Sequence, residues 1–144
     1  MLEGYKVMGM PNVYDEIYER AENHIKAKSK YSPYVLKTPP QETKVFPLVV
    51  ISEIDNTLEN ENLDKSDPKY KIEYEVEIYT IDKGSIPKQV IEQELKQLVN
   101  EVFDNHYGMY RRACIPTPNA DRNVNRLYMR YNALIDENKV IYRR

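Results

Sequence analysis

The chain has 144 residues, 41% of them apolar and 31% charged, with 23 acidic residues against 21 basic ones for a net charge of −2. That length suits one domain, residues 1–144, able to bury roughly two thirds of its unfolded surface. A single cysteine, Cys114, excludes an internal disulfide and a cysteine-based zinc site.

The apolar runs are too short and too interrupted to cross a bilayer, and the opening "MLEGYKVMGM" lacks the basic flank and continuous apolar stretch of a signal peptide, so folding in a cytoplasm is expected. The charge is unevenly spread. Residues 107–144 hold eight Lys and Arg against three Asp and Glu, a balance of +5, which leaves −7 on residues 1–106. Such a split suits a basic end that meets nucleic acid, or copies of one protein set acidic flank against basic flank. The slightly negative total argues against a general DNA binder.

The first predicted helix lies in "PNVYDEIYERAENHIKAKSKY", where Val13, Ile17, Ala21 and Ile25 recur every four residues. Asn12 is the expected N-cap, Asp15 and Glu16 suit the positive end of the helix dipole, and the helix should stop near Ser29. A proline-rich connector over residues 31–47 then forbids a continuous helix and reads as an extended surface crossing. Its Tyr31, Tyr34, Val35 and Leu36 are apolar enough to dock on this domain or on a neighbouring subunit.

"FPLVVISEID" reads as a strand, followed by an acidic loop over residues 55–69 with five acids, two lysines, and Leu58 and Leu63 as its apolar anchors. That composition predicts mobility in the free protein, with Leu58 and Leu63 as candidate partner contacts. In "YKIEYEVEIYTID" the residues Tyr70, Ile72, Tyr74, Val76 and Ile78 alternate with Lys71, Glu73, Glu75 and Glu77, predicting a strand with one core face and one acidic face that pairs antiparallel with its predecessor. A second helix follows, with Ser85 as expected N-cap, a stripe of Ile91, Leu95, Leu98, Val99, Val102 and Phe103, and Gly108 as its stop.

"MYRRACIPT" and "VNRLYMRYNALID" return to strand periodicity, and "VIYRR" follows a short turn at "ENK". The predicted order is αββαββ. It gives an α+β domain with an antiparallel sheet of four strands, plus a short fifth, and two helices on one face.

Candidate chemistry is sparse. His24 and His106 sit in no metal-ligand or nucleophile motif, and four glycines leave little from which to build a phosphate loop. Cys114 has no activating neighbour in sequence and reads as a buried inert thiol. Glu53, Asp55 and the row Glu73, Glu75 and Glu77 are placed to gather a divalent metal for nuclease work. Restriction-type nucleases, however, need a lysine two residues after a strand carboxylate, and none follows here. No catalytic, cofactor-binding or metal-ligating residue is therefore assigned, and no enzyme activity is expected.

The "FPLVVISEIDN" and "YEVEIYTID" strands, the "QELKQLVNEVF" helix and the closing "RLYMRY" strand with its terminal "IYR" together resemble the tail terminator and tail completion proteins of long-tailed bacteriophages, also labelled minor capsid or head-tail joining proteins. The resemblance runs over residues 10–143. It implies a virion structural subunit, made in the host cytoplasm, that closes into a homo-oligomeric ring, typically of six. That ring caps the tail tube and contacts head-neck connector proteins, and DNA passes through its channel without specific binding. The alternative is a nucleic-acid-binding or degenerate nuclease-like α+β domain.

The acidic row then admits three readings. Glu73, Glu75 and Glu77 line a channel and repel phosphates, or pair with Arg126 and Arg130 across the sheet, or meet those arginines on the next subunit.

Overall fold

The computed structural model describes residues 11–59 and 68–143. Helix α1 spans Tyr14–Lys28 and buries Ile17, Ala21 and Ile25, the predicted stripe. The Asn12 side chain accepts the Tyr14 N–H at 3.1 Å, so the expected cap is made, one residue ahead of the Val13 boundary. The backbone leaves helical geometry at Ser29, whose hydroxyl donates to Glu94 at 2.5 Å and ties the end of α1 to the second helix.

Three residues of the proline-rich connector form a strand, β1 (Tyr34–Leu36), parallel to β2 (Leu48–Leu58). The expected antiparallel sheet is therefore mixed, and the order is αβββαβββ. Val35 is buried and its carbonyl accepts the Tyr18 hydroxyl at 2.9 Å, so a local alternation too short to read in sequence is held by α1. Pro39 and Pro40 then prevent the strand from lengthening.

β2 continues through Leu58 and pairs antiparallel with β3 (Lys69–Thr80), with a register shift between Glu53 and Asp55. Residues 55–58, expected in the acidic loop, are thus strand. Leu63 and residues 60–67 lie outside the described residues. Between β3 and the second helix, Lys83 and Ile86 exchange backbone hydrogen bonds of 3.0 Å around Gly84. This turn absorbs Ser85, so helix α2 begins at Lys88, whose N–H is capped by Asp82 at 2.9 Å and not by Ser85. α2 (Lys88–Asn100) widens into a π-helical turn over Glu101–His106, which ends at Gly108 with φ +69°.

β4 (Tyr110–Thr117) and β5 (Asn125–Asp136) pair antiparallel, and β6 (Ile141–Tyr142) follows beside the far end of β5. The sheet order is β1-β2-β3-β5-β4, with β6 also on β5. Both helices pack on the face that carries Ile72, Tyr74, Val76, Ile78, Met129 and Tyr131, all fully buried, and that face holds the main core. A smaller cluster of Leu48, Val50, Tyr79 and Val124 lies on the opposite face at one end, covered by Val45 and Phe46. Among the described residues, the rest of that face has no helix over it.

Candidate interaction surfaces: the open sheet face and its two edges

On the open face the predicted acidic row of β3 meets the predicted basic row of β5 within one chain. Arg126 Nε donates to Glu77 at 2.5 Å, and the Tyr79 hydroxyl donates to the same oxygen at 2.8 Å. Burial alone would push the Glu77 carboxyl up, but these two hydrogen bonds and the Arg126 charge outweigh it and hold Glu77 below the usual carboxylate range. The same contact raises Arg126. Glu75 accepts the Tyr128 hydroxyl at 2.9 Å. Glu73 lies 3.4 Å from Arg130 Nε, close enough for an ion pair but without hydrogen-bond alignment, since that buried Nε has no hydrogen-bond partner.

Lys71, Arg126 and Arg130 thus stand among Glu73, Glu75 and Glu77, and this part of the face carries no net charge. A shallow concavity of about 630 Å³ borders it, lined among others by Glu59, Lys71, Glu73, Tyr110, Arg112 and Arg130.

The carboxylates considered for metal binding are split between the two faces. Glu53 lies on the helix side, where its carboxylate accepts the Tyr74 hydroxyl at 2.9 Å and where burial raises its pKa, whereas Asp55 is level with Glu73 on the open side. Among the described residues no three metal-ligating side chains come together. His24 lies 3.2 Å from Glu101, and His106 is exposed, its pKa lowered by local desolvation and by Arg20 and Arg143. Cys114 is half-buried against the core rather than fully enclosed.

The sheet edges hold the features that sequence reasoning missed. β1 covers only Leu48, Val49 and Val50, so residues 52–58 of β2 have no strand partner on their outer side among the described residues. This edge carries Glu53 and Asp55, with Ile54 and Leu58 42% and 50% exposed. Its local contacts are side-chain ones: Ser52 Oγ to the Lys37 carbonyl at 3.1 Å and Asn56 Nδ2 to the Pro11 carbonyl at 2.9 Å.

At the other side β4 pairs, among the described residues, with β5 alone and presents exposed Arg111 and Arg112, with Tyr110 and Ile115 46% and 54% exposed. The pair "RR" was visible in the sequence. That it sits on an edge depends on β5 lying inside β4, which no local pattern encodes.

No protein-family model and no curated protein sequence matches the chain. Among solved structures it is similar to a chain described as "Virion of native gene transfer agent (GTA) particle", with a TM-score of 0.55 and 12% sequence identity, over 86% of this chain and 91% of that one. At that identity the likeness is one of fold, and it extends over nearly the whole of both chains.

Proposed function

We propose that this chain is a structural subunit of a phage-like virion, carried to that reading by the near full-length likeness of its fold to a chain of a gene transfer agent particle. Within that reading it is a ring subunit that caps the tail tube and joins it to the head and neck, as the sequence resemblance to tail terminator proteins implies. The ring is of six copies, touches tail tube and connector proteins, and lets DNA pass without holding it. The Glu–Arg contacts between β3 and β5 neutralise that strip of the open face, which suits passage of a polyanion, while the concavity beside it, lined by Lys71, Arg112, Arg130 and Arg143 against Glu59 and Glu73, is where a phosphate backbone would be attracted. The subunit performs no chemistry of its own.

The test is direct. Purified protein, sized by light scattering and imaged in negative stain, should give annular particles with a central hole. Particles assembled without it should accumulate unjoined heads and tails. A monomer at all concentrations, together with normal joining in its absence, would remove the reading. Incubation with duplex or single-stranded DNA plus Mg²⁺ or Mn²⁺ should leave both intact, and cleavage lost in Glu75→Gln or Glu77→Gln would replace the structural role with a nuclease.

A further inference from the structure

The two free edges are related row by row across the sheet. Following the strand pairing, Glu53 lies level with Tyr74, Tyr131 and Arg111, and Asp55 lies level with Glu73, Asn132 and Tyr110. Arg112 is the extra residue of the β4 irregularity beside them. Thr57 and Leu58 lie level with Tyr142 and Ile141 of β6. Each row that starts on an acid at the β2 edge therefore ends near an arginine at the β4 edge, and the row that starts on exposed Leu58 ends on Ile141, beside exposed Tyr142.

We infer that copies of this chain join edge to edge, residues 52–58 of β2 in one copy adding to residues 110–115 of β4 and to β6 in the next, so that the sheet continues through the assembly. The inference rests on the ring reading for closure and supplies the contact by which the ring is built.

Direction and charge both support it. β2 is antiparallel to β3, β3 to β5, and β5 to β4, so β2 and β4 run in opposite senses. A repeat of the molecule beside itself brings them together as an antiparallel pair, with backbone that has no strand partner among the described residues facing backbone of the same kind. Glu53 and Asp55 then approach Arg111 and Arg112 of the neighbour, and Leu58 approaches the neighbour's apolar β6. Like edges are excluded by the same charges: two β4 edges oppose arginines to arginines, and two β2 edges oppose acids to acids. The contact is therefore heterologous, the type that generates a ring when its rotation closes. Pro116 has no N–H to donate and limits the usable β4 edge to the part before it.

The experiment uses two full-length variants. Arg111→Glu/Arg112→Glu makes both edges acidic, and Asp55→Lys/Glu59→Lys, at the β2 edge and the residue that follows it, turns that edge net basic while keeping Glu53 as the acceptor of the Tyr74 hydroxyl, with circular dichroism and thermal unfolding confirming that each folds. Sedimentation at low salt should show wild type assembled, and each variant alone should need at least tenfold more protein to assemble. An equimolar mixture should recover wild-type assembly, because the two variants then alternate with opposite edges facing. Variants that assemble alone as wild type does, or a mixture that does not recover, overturn the edge contact while leaving a ring built through another face possible. Recovery into open filaments keeps the edge contact and removes the closed ring. A wild type that stays monomeric at low salt overturns the inference.

Discussion

Two carboxyl groups on neighbouring strands respond to pH with opposite sign. Glu77, paired with Arg126 and Tyr79, has its folded pKa held below the ordinary value. Its stabilisation is therefore present above the unfolded carboxylate value near ~4.3 and lost as pH falls through the lower folded value. Glu53, half-buried beside Tyr74, has its pKa raised chiefly by burial, so its contribution is favourable at low pH and declines as pH rises through the raised value. Glu77→Gln should cost about 1.5–3 kcal/mol at neutral pH, the scale of hydrogen bonds to a charged group. It should also flatten the acid limb of the stability curve. Glu53→Gln keeps an acceptor for the Tyr74 hydroxyl and removes a half-buried charge, so neutral-pH stability should be unchanged or higher. Urea melts from pH 3 to 7 on both variants check the two signs.

The elements are joined by a column of rings. Tyr14 of α1 stacks on Tyr74 of β3 at 5.9 Å, Tyr74 meets Phe103 of the π-helical turn at 6.0 Å, and Phe103 stacks on Tyr131 of β5 at 4.9 Å. Phe103 is fully buried against β3 and β5, so Phe103→Ala should lose about 3–5 kcal/mol, read as a drop in the urea midpoint. The wide turn is what brings Phe103 over the sheet, and its end is pinned from far along the chain. Arg143 donates to the carbonyls of His106 and Asn105 at 2.5 and 2.9 Å, supplying partners to a helix end that lacks its own. Its side chain lies against Gly108, where an added Cβ would sit 2.8 Å from Arg143 Cγ. Arg143→Ala should cost about 1 kcal/mol, as for the loss of a capping bond. Gly108→Ala should cost more, because its positive φ adds roughly 1–2 kcal/mol for any residue with a Cβ. Thermal unfolding of the two variants tests that ranking.

At the scale of the whole molecule, the charge split between the two parts of the chain becomes a polarity across the sheet. Arg126 and Arg130, the candidate interface charges from sequence, lie on the inner strand β5 and are engaged by Glu77 and Glu73 of their own chain. Arg111 and Arg112 are left at the rim. Assembly through that rim should weaken as salt rises, since exposed charges are screened within a Debye length of about 8 Å at physiological ionic strength. Reversing Arg126 should lower monomer stability before it affects assembly. Hydrogen exchange offers a second reading: residues 52–58 and 110–115 should gain protection together when the protein assembles, while residues 72–78, inside the sheet, should change little.

Local periodicity by itself determined much of this protein. The four-residue stripe of α1, the Ile91 to Phe103 stripe of α2, the alternation of β3 and β5 and the stop at Gly108 were all legible, because burying an amphipathic face leaves its period in the sequence. The facing rows of acids and arginines were legible as rows for the same reason. Only the tertiary structure decided that those rows meet inside one chain, that three residues of a proline-rich connector join the sheet in parallel, and that the edges are β4 on one side and, on the other, β1 with the far half of β2 beyond it. Strand order is a property of which surfaces cover which. The alternation of "YRRACIPT" is the same whether a neighbour lies on one side of it or on both, so the residues most exposed to a partner carry no local mark of that position.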